Sequence, residues 1–217
     1  METMTPETMT PETNRALRAC MTWAISILYS NAILIDTETT ALGPEDEVAA
    51  VGLLSPSRRI LMDQGFRPTA AFSAGATAVN GLTAETQADC PKWSVHHDEL
   101  CERLDGGLAV AFNADFDRRL IEQTCARYGL TPPQPARWEC AQKQAMTVLG
   151  GAKWVSLTKA LHVWTGWPMR RCEQGAHGAI GDCGRLLDLL AAMAHFRGYN
   201  GREQLALWYR IMEHAAW

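Results

Sequence analysis

The pattern of apolar and polar positions starts only after a featureless beginning. Residues 1–13 repeat Met-Thr-Pro-Glu-Thr from Met4 and again from Met9. Such a repeat, with proline and few large apolar groups, has too little to bury and predicts a disordered tail. From Arg15 to Tyr29 the chain turns apolar, which predicts a helix over 14–29 within an N-terminal extension of residues 14–30. Ala32–Ile35 then reads as a buried strand that runs into Asp36-Thr37-Glu38-Thr39-Thr40. Apolar runs at 48–54 and near 59–64, joined through Ser55-Pro56-Ser57, predict two more strands and an antiparallel meander. Residues 66–92 read as irregular, with Asn80-Gly81 as a turn and Thr83 as a helix cap. A helix over 94–104, a short buried strand at Leu108–Phe112 and a helix over 114–128 ending at Gly129 follow. Pro132, Pro133 and Pro135 mark a loop, and helices are expected near 138–148, 155–163 and 178–197. A meander followed by alternating strand and helix predicts an α/β domain over 31–197, a mixed sheet flanked by helices, with 198–217 as a C-terminal helical extension.

Composition narrows this picture in two ways. The uncharged run Ala19–Ile35 is shorter than the roughly 20 apolar residues of a membrane span and carries Thr22, Ser26, Ser30 and Asn31, so no membrane partner and no signal peptide are expected. A net charge of -4 argues against a protein that coats nucleic acid, though not against an enzyme that grips a nucleic-acid end at an acidic metal site. Seven cysteines, an odd number without a Cys-x-x-Cys pair, read as reduced thiols and point to the cytoplasm.

The candidate chemistry lies in carboxylates. In an extended chain alternate side chains share a face, so Asp36 and Glu38 point the same way and need a cation or shifted pKa values. Oxygen ligands favour hard divalent ions. Further along, helical phase places Asp117 on the apolar stripe Leu120, Ile121, Thr124, Cys125 and Tyr128, whereas Asp115 shares a polar face with Arg119 and Glu122. Near the end, Asp182 falls in line with Leu186, Leu189, Leu190 and Met193 and is expected to face inward. Asp188, with Arg185, Ala192 and His195, is expected to face solvent. His177, in Gly175-Ala176-His177-Gly178, reads as a loop histidine beside an inward acid and a candidate general base.

Taken together, Ile35-Asp-Thr-Glu-Thr39, Asn113-Ala-Asp-Phe-Asp117 and His177-Gly-Ala-Ile-Gly-Asp182 make the chain resemble the DnaQ-like, or DEDDh, family of 3′–5′ exonucleases, over about residues 31 to 195. The resemblance implies a ribonuclease H-like fold and two divalent cations, Mg2+ or Mn2+, held by Asp36, Glu38, Asp117 and Asp182, with Asp36 touching both. It implies that His177 deprotonates the attacking water and that nucleoside 5′-monophosphates leave a free 3′ end. Thr39, Thr40 and Leu42 match family positions that meet the terminal nucleotide through backbone groups and an apolar wedge; Phe116 is placed beside its base or in the core, and Asn113 opens the second motif among the substrate contacts. Three positions depart from the family: Ala41 stands where glycine is usual, Asn80 where many relatives have histidine, and Ala50 where glutamate is frequent.

The expected partner is a single-stranded DNA or RNA 3′ end, DNA favoured. Arg58-Arg59, Arg118-Arg119 and Arg170-Arg171 form no long basic groove, and Trp138, Trp154, Trp164 and Trp167 are core residues or stack on bases. Two other readings stand beside this one: a catalytically silent nucleic-acid-binding module, and an adaptor whose terminal extensions, through Trp208, Tyr209, Ile211, Met212 and Trp217, dock a protein partner.

Overall fold

The structure, a computed structural model, describes residues 11–148 and 155–196. Trp154 and the aromatic residues beyond 197 lie outside them. In chain order the elements are α1 (Pro11–Leu28), β1 (Ile33–Thr39), β2 (Val48–Leu54), β3 (Ile60–Gly65), α2 (Ala74–Asn80), α3 (Trp93–Leu104), β4 (Leu108–Ala111), α4 (Ala114–Arg127), β5 (Arg137–Cys140), α5 (Ala141–Val148), α6 (Leu157–Thr165), α7 (Met169–Cys172) and α8 (Ala179–Ala194). They fall into two compact units. One comprises Asn31–Cys140 with Gly175–Gly184; the other gathers the described residues up to Ser30, those of Ala141–Gln174 and those from Arg185 on.

The first unit is built on a five-stranded sheet of order β3-β2-β1-β4-β5. β1, β2 and β3 pair antiparallel, as a meander of short connections must, and β4 and β5 add in parallel after helical crossovers. This is the mixed sheet flanked by helices that the sequence predicts. Its core runs from Ile35, Val51 and Leu53 to Trp93, Leu100 and Leu104 of α3 and Leu120 and Ile121 of α4, all at most 1% exposed. Two expectations need correction here. Residues 74–80 form a helix, α2, capped by the Ser73 side chain and by a left-handed Gly81, yet it buries none of its own residues and so leaves no apolar stripe to read. And 137–140, expected to open a helix, instead form β5 beside β4, a strand too short for its alternation to stand out.

In the second unit α1 packs on α5 through Leu17, Cys20, Ala24 and Ile27, three or four residues apart. Trp164 meets Phe196 edge to face at 5.2 Å. Of the expected solvent face of α8, His195 is exposed and Asp188 and Ala192 are half-buried, but Arg185 is only 6% exposed, and its guanidinium donates to the Cys172 carbonyl at 2.8 Å and to Thr158 Oγ1. Arginine can be buried where carbonyl and hydroxyl acceptors meet its fork of donors. All seven cysteines are free thiols. Among the described residues, no helix is long and apolar enough to cross a membrane.

A candidate metal centre at the end of β1

β1 is the middle strand of the sheet, and its last residues alternate. Thr37 and Thr39 are buried, while Asp36 and Glu38 are half-exposed on the other side. Along β2 the strand stays paired as far as Thr39↔Val48, but its pairing with β4 is limited to Ile33↔Ala109 and Leu34↔Val110. Beyond Leu34 the parallel side of β1 is therefore open, and α4 starts there. The Asn113 carbonyl accepts the Phe116 and Asp117 amides at 2.9 and 3.3 Å, which sets the first turn of α4 and turns Asp117 toward β1. Asp117 is 3% exposed and accepts the Thr37 hydroxyl at 2.9 Å on Oδ1. Asp115, on the same turn, is exposed, as its phase predicts.

The third motif reaches the acids through two positions that tolerate no side chain. A Cβ on Gly52, in the middle of β2, would fall 2.5 Å from the Ala179 carbonyl carbon and the Ile180 nitrogen. Only glycine lets the start of α8 lie this close on the sheet. Cys183 completes the contact, its Sγ donating to the Gly52 carbonyl at 3.2 Å and lying 3.6 Å from that of Leu34. Gly181 in turn abuts the loop before the helix, where a Cβ would sit 2.0 Å from the Gly175 oxygen. The loop is thus a fitted turn rather than a slack one. His177 occupies it with φ 64, exposed, and its amide donates to Asp182 Oδ2 at 3.4 Å.

These contacts bring carboxylate oxygens of Asp36, Glu38 and Asp182 within 4.8 Å of one another. Burial, then the charge of Asp182, pushes Glu38 up to about 7; the Asn80 amide pulls it back in part and Asp117 adds to the rise. Asp117 stands outside that triad, and it too is raised, chiefly by burial, against the opposing hydrogen bonds from Thr37. Acids that crowd one another out of water, with oxygen as the only ligand atom, suit a hard divalent cation, which replaces mutual repulsion by attraction.

The expected substrate contacts gather around this edge. Thr39 and Thr40 are buried: Thr39 Oγ1 donates to the Ala41 carbonyl at 3.0 Å, and Thr40 Oγ1 to Asp46 Oδ1 at 3.2 Å. Leu42, 72% exposed, stands at the tip of the following loop. Phe116 is half-buried against the core with the Arg119 guanidinium 5.5 Å from its ring centre, and Asn113 is half-buried just before α4. Ala50, opposite Glu38 in the β1–β2 register, offers only a methyl group. Two residues do more here than their sequence surroundings indicate: Thr37 holds Asp117, and Asn80 Nδ2 donates to the Thr39 carbonyl at 3.1 Å while its Oδ1 accepts the Leu82 amide at 3.0 Å. The signal for Asn80 was its place before a glycine at the end of an amphiphile-free stretch; Thr37 carried none beyond its position between two acids.

No family model matches the chain. A protein of Escherichia phage 186 named uncharacterized exonuclease CP81 is 32% identical over 179 residues, 77% of this chain and 90% of the phage protein. This chain belongs to the DnaQ-like exonuclease family. Among solved structures, the exonuclease is similar to exonuclease X in complex with 5′ overhanging duplex DNA, with a TM-score of 0.55, 26% identity, and coverage of 81% of this chain and 97% of that one. Cell-death related nuclease 4 shares the fold, with a TM-score of 0.54 at 14% identity over 76% of the exonuclease and 64% of that chain.

Proposed function

We propose that this exonuclease works in the 3′–5′ direction on single-stranded DNA ends, using two divalent cations, Mg2+ or Mn2+, and releasing nucleoside 5′-monophosphates. The observation that carries the reading is the convergence of Asp36, Glu38 and Asp182 within 4.8 Å. With Asp117 beside them, these acids would hold the ions. Bound there, divalent cations lower the pKa of the attacking water and offset charge on the leaving oxygen.

The remaining work belongs to the chain. His177 takes the proton from the water: an exposed imidazole on a fixed turn approaches the acids without being buried among them, and its amide tie to Asp182 keeps loop and acid together. Thr37 holds Asp117 in place through one carboxylate oxygen. Thr39 and Thr40 offer backbone groups to the terminal nucleotide; Leu42, Phe116 and Asn113 border it. Similarity to exonuclease X, solved with DNA, supports DNA over RNA, and the net charge of -4 supports short ends over long duplex tracks. Seven free thiols support a cytoplasmic setting.

The test is a time course on 5′-labelled single-stranded DNA and RNA with Mg2+, Mn2+ or chelator, and Asp36→Ala as control. A descending ladder that needs metal, is faster on DNA and is missing from the variant is expected. No ladder on either strand would overturn the proposal, and a ladder on RNA alone would transfer it to RNA ends.

A further inference from the structure

Two features of the chain play no part in the reaction above: the tryptophans of α6 and of the turn after it, and the pair Arg170-Arg171. The second unit brings them together. α6 ends where Gly166 adopts a left-handed φ of 70, and α7 begins just after Pro168. Trp167, between them, is held by its backbone on both sides: its amide donates to Thr165 Oγ1 at 3.0 Å, and its carbonyl meets His162 Nδ1 at 2.5 Å. A turn fixed in this way presents a half-buried indole in one place. Two cavities share that ring. One, of about 300 Å³, is lined by Trp164, Trp167 and Phe196, with Asp188 and His195 as its polar members. The other, of about 180 Å³, is lined by Trp167, Arg171, Gln174, Arg185 and Asp188.

The first cavity is aromatic and the second cationic. Among the described residues the buried indole N–H of Trp164 has no acceptor, so the aromatic cluster is not completed from within. Arg171 lies over the Trp167 ring, 3.7 Å from its centre, and a guanidinium stacked on an indole keeps its N–H groups at the edge, where an anion meets them. Arg185 is fixed by its bonds to the Cys172 carbonyl and Thr158. Two guanidinium groups against the single carboxylate of Asp188 leave this cavity positive in a chain whose net charge is -4.

We propose that the two cavities form a second nucleotide-binding site, with a base in the aromatic cavity and its phosphate against Arg171 and Arg185. None of Asp36, Glu38, Asp117 and Asp182 lines either cavity. A purine is planar and stacks on indole, and Asp188 accepts from an exocyclic amino group. The phosphate takes donors from a planar fork, which stacking orients in Arg171 and two acceptors orient in Arg185. Inorganic phosphate would use only the cationic cavity and an apolar compound only the aromatic one; a nucleotide is the class of ligand that uses both, one on each side of Trp167. That chemistry is common to a free nucleoside monophosphate and to a nucleotide within a strand.

The experiment is equilibrium dialysis of the full chain in chelator, so that no cation draws phosphate to the acids. The labelled probes are 2′-deoxyadenosine 5′-monophosphate, 2′-deoxyadenosine, and a short oligo(dA) strand blocked at its 3′ end. The monophosphate is expected to bind the wild-type chain and Asp36→Ala equally. Trp167→Ala should weaken it about tenfold, and Trp167→Phe should restore most of that loss, since a phenyl ring still stacks. Arg171→Ala should also weaken the monophosphate about tenfold while changing the nucleoside by less than about threefold, because only the phosphate loses a partner. Arg171 is exposed, so this variant decides the matter if Trp167→Ala does not fold. Tighter binding of the strand than of the monophosphate assigns the site to a nucleotide within a strand, and the reverse assigns it to the free nucleotide; either supports the inference. No binding of monophosphate or strand at millimolar concentration would overturn it. So would binding that is lost in Asp36→Ala and kept in Trp167→Ala and Arg171→Ala, which would seat the nucleotide at the metal centre. Cleavage is not read in any arm, so failure here leaves the exonuclease reading standing.

Discussion

Glu38 and Glu47 are both glutamates near the end of β1, the first half-buried and the second fully buried, and their surroundings are opposite. Glu47, 1% exposed, is met by donors on every side: the Thr69 amide at 3.0 Å, the Thr69 hydroxyl, the Ala70 amide at 2.7 Å, the Tyr128 hydroxyl at 2.9 Å and Arg127 Nε at 2.8 Å. Glu38 faces the carboxylates of Asp36 and Asp182, with the Asn80 amide as a donor. A buried acid that serves the fold is surrounded by what it lacks, whereas one kept for chemistry is surrounded by its own kind and left short of positive charge. The contrast separates the carboxylates proposed to hold a cation from one that serves the fold more directly than burial alone does.

Removing an acid from each site separates the two kinds of cost. Asp36→Ala should lower turnover by about 10⁴-fold or more, with a melting temperature no lower than that of the parent, since one of the mutually repelling carboxylates is gone; unchanged turnover would end the metal-centre assignment. His177→Ala should reduce the rate by about 10²–10⁴ without altering the acids. A loss of a few-fold, measured in single-turnover kinetics, would mean that another group takes the proton. Glu47→Ala should do the reverse of Asp36→Ala: destabilise by about 3 kcal/mol in urea unfolding, because Arg127 and Tyr128 lose a buried partner, while turnover per folded molecule drops less than about tenfold.

The gentlest probe is pH. In the metal-free protein Glu38, raised from 4.5 to about 7, holds a proton over a range in which the unfolded chain has released it. Its contribution to stability is therefore whole below about pH 4.5 and is lost as pH rises through about 7, with Asp117 shifted in the same direction. Thermal melts of metal-free protein should fall by about 5 °C between pH 5 and pH 8, and Mg2+ or Mn2+ should remove most of that fall by favouring the charged carboxylates. A melting temperature that rises with pH in chelator would show that the acids are not crowded as described.

Much of this could be read from the chain because the informative residues are periodic or adjacent. Asp36 and Glu38 are two apart on a strand, and the phase of Asp117 against Asp115 separates an inward from an outward acid, whereas Asp182 and Asp188 are both half-buried. What escaped was held by contacts between distant segments. Glu47 meets Thr69 and Tyr128, Thr37 meets Asp117, and Gln123 meets Gly43, so no local pattern marks them. α2 escaped because it buries none of its side chains. Arg185 was misread for a simpler reason: phase assigns a charged residue to solvent, and only the Cys172 carbonyl and Thr158 explain why it lies inside.

Gly181 gives the third motif a meaning that counting residues does not. Because its missing side chain is where the Gly175 carbonyl lies, the stretch from Gly175 to Asp182 behaves as a single moulded part, like a key cut to one lock. Histidine and aspartate cannot be transplanted into another loop of equal length and keep their relation. In redesign of this enzyme the segment would have to be moved whole, with both glycines, or left alone.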